Sequence, residues 1–110
     1  MAEAGCDYVR ALGNLEMSRA SARHLSRVAG LGCILCRHLG TPGTPAEIHH
    51  LRAGQGAAQR GSDYTSVPLC TEHHRGASGL HGLGTRGFAA RYRVDELDLL
   101  ALTIEALETT

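Results

Sequence analysis

The pattern of hydrophobic and polar positions predicts short helices and two short strands. Helical periodicity covers residues 15–29, beginning near Glu16 and stopping at Gly30. Two β-compatible segments, 46–51 (AEIHHL) and 64–69 (YTSVPL), are each bounded by turn residues. The Gly-rich, basic stretch 52–62 between them is predicted to be a loop, as is the earlier stretch TPGTP.

The C-terminal third returns to helical patterning. A helix beginning around Cys70–Thr71 carries His73 and His74, and a short helix covers 85–92 after Gly84. Asp95 is the expected N-cap of a last helix that ends near Glu108. Two strands followed directly by a helix, with further helices on either side, predict an α+β fold.

The last helix has apolar residues on more than one face. We expect it to pack on two sides or against a partner, which leaves a monomer and a weak dimer through this helix open. Its predicted apolar stripe consists of Leu97, Leu100, Ile104 and Leu107, widened by Leu99, Leu102 and Ala106.

The 110 residues make one small domain, predicted to span 15–110 after a flexible arm at 1–14. With one Phe, three Tyr and no Trp, the chain has few bulky side chains for a core, so a metal is expected to help hold the fold. No apolar run of about 18 residues and no secretory signal is visible, so neither a membrane span nor disulfides are expected.

Charge is segregated along the chain although the formal net charge is zero. All 11 basic residues are Arg and lie within residues 1–93, whereas residues 94–110 hold five acids and no base. Arg19, Arg23 and Arg27 recur at four-residue steps, so they line one helix face that could hold phosphates or simply be solvated. A basic body with an acidic final helix favours a nucleic-acid partner.

Two matched pairs of metal-binding residues predict a structural zinc site. Cys33 and Cys36 form a CxxC, and Cys70 and His73 form a CxxH of the same spacing. Two such pairs supply the four ligands of a tetrahedral zinc, whereas a lone CxxC would be a weak signal. Cys6 lies outside the pattern.

A second group of histidines predicts a separate active site. His49 and His50 are adjacent on a predicted strand, so they point to opposite faces and are not expected to bind the same ion. On an unbroken helix His74 and His81 would stand about 10.5 Å apart along the axis. We therefore expect the helix to break at residues 76–79 (GASG), which would let His49, His74 and His81 surround one ion. Imidazole also has the pKa suited to deprotonating water near neutral pH.

The motifs CILC, AEIHH, SDYTSVPLCTEHH and GLHGLG, followed by a short helix with Phe and Tyr, resemble the HNH (ββα-metal) endonuclease superfamily. Within it, the chain is similar to the Ref-like, RecA-dependent nucleases of phage recombination enhancement. The resemblance covers roughly residues 24–108. It implies a small zinc-stabilised ββα-metal core, DNA as the substrate, a RecA filament as a partner, and location in the cytoplasm of a bacterial host.

The resemblance also implies a role for each site residue. His50 would be the general base that activates water, and His49, His74 and His81 would bind a catalytic divalent metal, which could be Zn²⁺, Mg²⁺, Mn²⁺ or Ni²⁺. Asp63 would brace the loop between the strands at the active site. Arg52 and Arg75 lie close enough in sequence to contact the scissile phosphate.

Two functions of different classes remain open from the sequence. The first is a metal-dependent DNA endonuclease or nickase. The second is a non-catalytic, zinc-stabilised DNA-binding or adaptor module, in which the adjacent histidines would be structural. Phe88 and Tyr92 are expected in the core rather than as base-stacking groups, and His24 and His38 at the surface or in packing contacts.

Overall fold

The computed structural model describes residues 18–51 and 62–110. Within these ranges the chain has an α+β fold, as the sequence predicted. None of the helices there is long and apolar enough to cross a membrane. The elements in chain order are α1 (Arg19–Gly30), α2 (Ile34–His38), β1 (Glu47–His50), β2 (Ser66–Leu69), α3 (Thr71–Arg75), α4 (Leu80–Tyr92) and α5 (Glu96–Glu108).

The two strands form an antiparallel sheet that lies at the centre of the helices. His49 pairs with Val67, and His50 pairs with Ser66. Helices α1, α2 and α5 all contact β2, whose four residues are all buried. The largest fully buried side chains therefore come from both the sheet and the helices around it: Phe88, Ile34, Leu35, Leu69, Leu99, Val28 and Val67.

Both strands are shorter than the apolar patterns that predicted them, and α1 begins later than predicted. Ser18 is the N-cap of α1, since its backbone is extended and its hydroxyl accepts a hydrogen bond from the Ser21 amide at 3.1 Å. A hydroxyl at this position satisfies an amide that the helix leaves unpaired, which makes Ser18 a better start than Glu16. The predicted arm 1–14 and most of the predicted loop 52–62 lie outside the described residues.

The predicted break between the two histidine-bearing helices is confirmed. Helix α3 ends at Arg75 and α4 begins at Leu80. Glu72 fixes the intervening turn, because its carboxylate accepts hydrogen bonds from the Ser78 amide at 2.9 Å and the Ser78 hydroxyl at 2.5 Å. Gly79 is required there, since a Cβ would overlap the Glu72 carbonyl oxygen and come within 2.6 Å of the His73 carbonyl carbon.

Helix α4 begins five residues earlier than the predicted 85–92. Gly84 interrupts it with φ 78° and ψ 166°, a conformation that glycine adopts readily, and helical geometry resumes after it. The predicted segment is therefore only the second part of α4. The first part carries His81.

The predicted N-cap of α5 is confirmed, whereas its predicted apolar stripe is wrong in two positions. Asp95 and Asp98 form a reciprocal capping box. Leu97 is 59% exposed and Ile104 is 48% exposed, so neither faces the core. Leu99 and Ala106, which were predicted to widen the stripe, are buried together with Glu96 and Thr103, at spacings of three and four residues along one face. Thr103 can be buried because its hydroxyl donates to the Leu99 carbonyl at 2.8 Å.

Candidate metal centres and active site

The two cysteine and histidine pairs converge on one point. Cys33 is the N-cap of α2 and Cys70 the N-cap of α3, so each pair spans the first turn of a short helix. The Nδ1 atom of His73 lies 3.7, 3.5 and 3.4 Å from the sulfurs of Cys33, Cys36 and Cys70, respectively. The sulfurs of Cys36 and Cys70 are 3.9 Å apart.

These distances fit a tetrahedral metal site. Zinc bonds of about 2.3 Å to sulfur and about 2.0 Å to nitrogen place two sulfurs about 3.8 Å apart, and a sulfur and a nitrogen about 3.5 Å apart. Cys33, Cys36 and Cys70 are all buried free thiols. Burial raises the pKa of the Cys33 thiol to about 12, so its thiolate needs a nearby positive charge to form near neutral pH. The four residues could therefore hold a metal ion.

A second group, formed by three histidines, lies on β1, α3 and the first part of α4. The ligand atoms offered by His49, His74 and His81 all lie within 4.8 Å of one another. The Nε2 atoms of His74 and His81 are 3.3 Å apart. Two imidazole nitrogens that bind one tetrahedral ion with bonds of about 2.05 Å are separated by about 3.3 Å, so this pair fits a shared metal.

A carboxylate lies behind two of these three histidines. His49 donates from Nε2 to Glu96 at 2.7 Å, and His74 donates from Nδ1 to Glu47 at 2.6 Å. An ionised carboxylate only accepts, so each contact fixes the proton on that ring nitrogen and leaves the lone pair on the other nitrogen. Histidines that bind metals are commonly oriented in this way.

The pKa shifts of His49 and of the carboxylate of Glu47 favour cation binding at the three-histidine group. Burial lowers the pKa of His49, although the hydrogen bond to Glu96 opposes the effect, so the ring stays neutral near pH 7. Hydrogen bonds from Arg75 and His74 lower the pKa of Glu47 to about 2, so this carboxylate is ionised. Neutral imidazole is the form that binds metals.

His50, the next residue along β1, makes a separate contact. Its Nε2 atom lies 2.7 Å from an oxygen of Asp63, and both side chains are about one-fifth exposed, at 21% and 19%. The two residues stand on either side of the stretch 52–61 but come together through the pairing of β1 with β2. A histidine oriented by a carboxylate is the arrangement of a general base.

A family model described as "Recombination enhancement, RecA-dependent nuclease" matches residues 18–108. The chain belongs to this family. Its name indicates a nuclease that acts in recombination and depends on RecA, and a nuclease of this kind acts on DNA. Comparison with curated proteins and with solved structures finds no match.

Of the two arginines predicted to contact phosphate in this RecA-dependent nuclease, the structure describes Arg75. Arg52 lies outside the described residues. Arg75 donates to Glu47 from Nε at 3.0 Å and from its terminal nitrogen at 2.7 Å. The Arg75 side chain is still 62% exposed, so a phosphate could reach it, and its role in substrate binding stays a prediction.

Sequence reasoning missed Glu47 and Glu96, the two carboxylates behind the histidines. Glu47 was detectable, since residues two apart on a strand share a face and Glu47 is two residues before His49. Glu96 gave no such signal. An acidic residue in the first turn of a helix is ordinarily explained by the helix dipole, and its contact with His49 crosses 47 residues of sequence.

Phe88 and Tyr92 are packing groups, as expected. Phe88 is fully buried, and the Tyr92 hydroxyl donates to the Ser78 carbonyl at 2.7 Å. His38 is exposed at the end of α2. His24 is half-buried and packs its ring against Tyr64.

Proposed function

We propose that the protein is an HNH-type (ββα-metal) DNA endonuclease or nickase that acts beside RecA filaments in the recombination of phage or prophage DNA. The observation that carries the proposal is the convergence of His49, His74 and His81 next to the contact between His50 and Asp63. Family membership supports a RecA-dependent nuclease.

Two metal sites with different tasks are part of the proposal. The buried site of Cys33, Cys36, Cys70 and His73 suits a structural zinc, since all four ligands come from the protein. Within the described ranges, the second site has three ligands, His49, His74 and His81, and three protein ligands are typical of a catalytic centre. A divalent ion held there would neutralise the negative charge that builds on the phosphoryl oxygens and on the leaving 3′ oxygen.

His50 is proposed as the general base. The Asp63 carboxylate accepts a hydrogen bond from Nε2 and thereby favours the tautomer with its lone pair on Nδ1. That nitrogen would take a proton from the attacking water, and the Asp63 carboxylate would stabilise the imidazolium that forms. Because β1 sends His49 and His50 to opposite faces, the base approaches the water from a different side than the metal ligand does.

Cleavage of supercoiled plasmid tests the proposal. The wild-type protein is assayed with Zn²⁺, Mg²⁺, Mn²⁺ and Ni²⁺ in turn, each with and without RecA filaments. His50→Ala should lower the cleavage rate about 100- to 10,000-fold while DNA binding persists. Asp63→Asn should lower the rate as well, because the amide does not stabilise the imidazolium. His38→Ala is the matched control, since His38 lies outside both metal groups.

The alternative of a non-catalytic module predicts a different outcome. It would show one tightly bound zinc per chain, no second exchangeable metal, and no cleavage under any condition. A cleaving protein whose rate is unchanged by His50→Ala would instead require another base. Cleavage that is equal with and without filaments would overturn the dependence on RecA.

A further inference from the structure

Tyr64 is a large aromatic side chain left open to solvent beside the proposed active site. It is 51% exposed, although its ring packs against His24 of α1 with the ring centroids 4.8 Å apart and the planes tilted by 39°. The Ser62 hydroxyl accepts a hydrogen bond from the Tyr64 amide at 3.0 Å. The contact with His24 restricts the ring, so an incoming group meets a surface that is already ordered.

Tyr64 is adjacent in sequence to a residue of the proposed active site. It directly follows Asp63, whose carboxylate lies 2.7 Å from His50. Adjacent Cα atoms are about 3.8 Å apart, so the backbone of Tyr64 lies next to that of Asp63, the residue that contacts the proposed base.

Helix α1, which carries His24, also carries positive charge. Arg19, Arg23 and Arg27 are exposed and belong to the helix that carries His24. Arg27 donates to the Leu107 carbonyl at 3.1 Å. Arg19 and Arg23 make no hydrogen bond or ion pair with the other residues in 18–51 and 62–110, so their charges are available to a phosphate backbone.

We propose that Tyr64, supported by His24, stacks on an unpaired base of a DNA strand whose phosphates follow Arg19 and Arg23 along α1. The proposal rests on the proposed nuclease function and specifies its substrate as DNA with a single-stranded segment at the active site. Aromatic rings next to positive charge bind single strands in this way, because every base has a face that can stack. In a duplex both faces of a base are covered by its neighbours, so only a strand that is displaced or unpaired could use Tyr64.

Binding of labelled DNA, measured by fluorescence anisotropy, tests this site. All variants carry His50→Ala, so binding is measured without cleavage. Tyr64→Ala should weaken binding of a single-stranded oligonucleotide about tenfold, while the duplex of the same sequence changes less than about twofold. Tyr64→Phe should keep single-strand binding, since it keeps the ring. Leu39→Ala, which truncates another exposed apolar side chain, is the control.

Further measurements test whether a change in affinity comes from lost stacking rather than from misfolding. Thermal unfolding and zinc content check that Tyr64→Ala is folded, and His24→Ala provides a second variant that should weaken single-strand binding without altering Tyr64. Tyrosine fluorescence should be quenched when single-stranded DNA binds the Tyr64-containing protein, and this quenching should be lost in Tyr64→Phe.

The outcomes separate the stacking site from the nuclease function. Unchanged single-strand affinity in Tyr64→Ala, or an equal loss for duplex, would overturn the stacking site even if the wild-type protein cleaves DNA. A selective loss of single-strand binding would support the stacking site even if the wild-type protein cleaves nothing, in which case the nuclease proposal fails alone.

Discussion

His49 on β1 and Glu96 at the start of α5 form a buried hydrogen bond of 2.7 Å between Nε2 and a carboxylate oxygen. His49 is 4% exposed and Glu96 is 7% exposed. The bond joins the last helix to the three-histidine group. It explains why an acidic residue is buried on α5, since a buried carboxylate needs a partner.

The first prediction concerns this bond. Glu96→Ala should weaken metal binding at the three-histidine site about 10- to 100-fold, because the His49 ring loses the group that orients it. Zinc at the cysteine site should be retained. Competition with a chromophoric chelator, titrated with Zn²⁺, measures both affinities. Glu105→Ala, an exposed acid on the same helix, should leave both unchanged. Equal affinities in Glu96→Ala and wild type would show that Glu96 does not support this site.

The second prediction concerns the cysteine site. Cys36→Ser, or removal of metal with a strong chelator, should abolish cooperative thermal unfolding, since apparent zinc-binding energies of about 10–16 kcal/mol are comparable to the whole stability of a small domain. Circular dichroism and zinc analysis measure the effect. Cys6→Ser is the matched control and should bind zinc and unfold as the wild type does. A metal-depleted chain that unfolds at the wild-type temperature would contradict a structural role.

The third prediction concerns the turn between α3 and α4. Gly79→Ala should destabilise the fold by about 1–3 kcal/mol, because the added methyl group overlaps the backbone of α3. It should also weaken metal binding at the three-histidine site, since α4 must shift and carry His81 with it. Chemical unfolding and metal titration measure the two effects. Gly30→Ala has no atom within 4 Å of the new Cβ and should leave metal binding unchanged. Wild-type stability in Gly79→Ala would show that the close approach is not required.

The fourth prediction concerns pH. Burial lowers the pKa of His49 in the folded protein, whereas an unfolded chain has a histidine pKa of about 6.5. Below about pH 6.5 the unfolded state therefore binds the proton more readily, so the free energy of unfolding falls as the pH falls. The contribution of neutral His49 to stability is fully present above this pH.

Comparison of variants at pH 7.5 and 5.5 isolates the contribution of His49. The loss of stability between these two values, measured by chemical unfolding, should be smaller in His49→Gln than in the wild type. His38→Gln, which changes an exposed histidine, should show the wild-type loss. A loss in His49→Gln as large as that of the wild type would count against the prediction.

The sequence identified those features that depend on local geometry. The CxxC and CxxH pairs could be recognised because residues three apart at a helix start face the same point, and Asp95 could be recognised as a cap for α5. The break at 76–79 followed from helix rise together with the expectation that His74 and His81 bind one ion, since the two side chains could not otherwise approach each other. The assignments of metal, base and substrate roles to these residues stay predictions.

The sequence by itself thus determined the α+β class, the order of the elements other than α2, which it did not predict, and the two groups of candidate ligands. The tertiary structure decided which carboxylates lie behind the histidines and which face of α5 is buried. Leu97 and Ile104 are as apolar as the residues that pack, but Glu96 turns toward His49 and takes its own helix face into the core. Periodicity describes one helix at a time, whereas burial depends on the neighbours that the fold supplies.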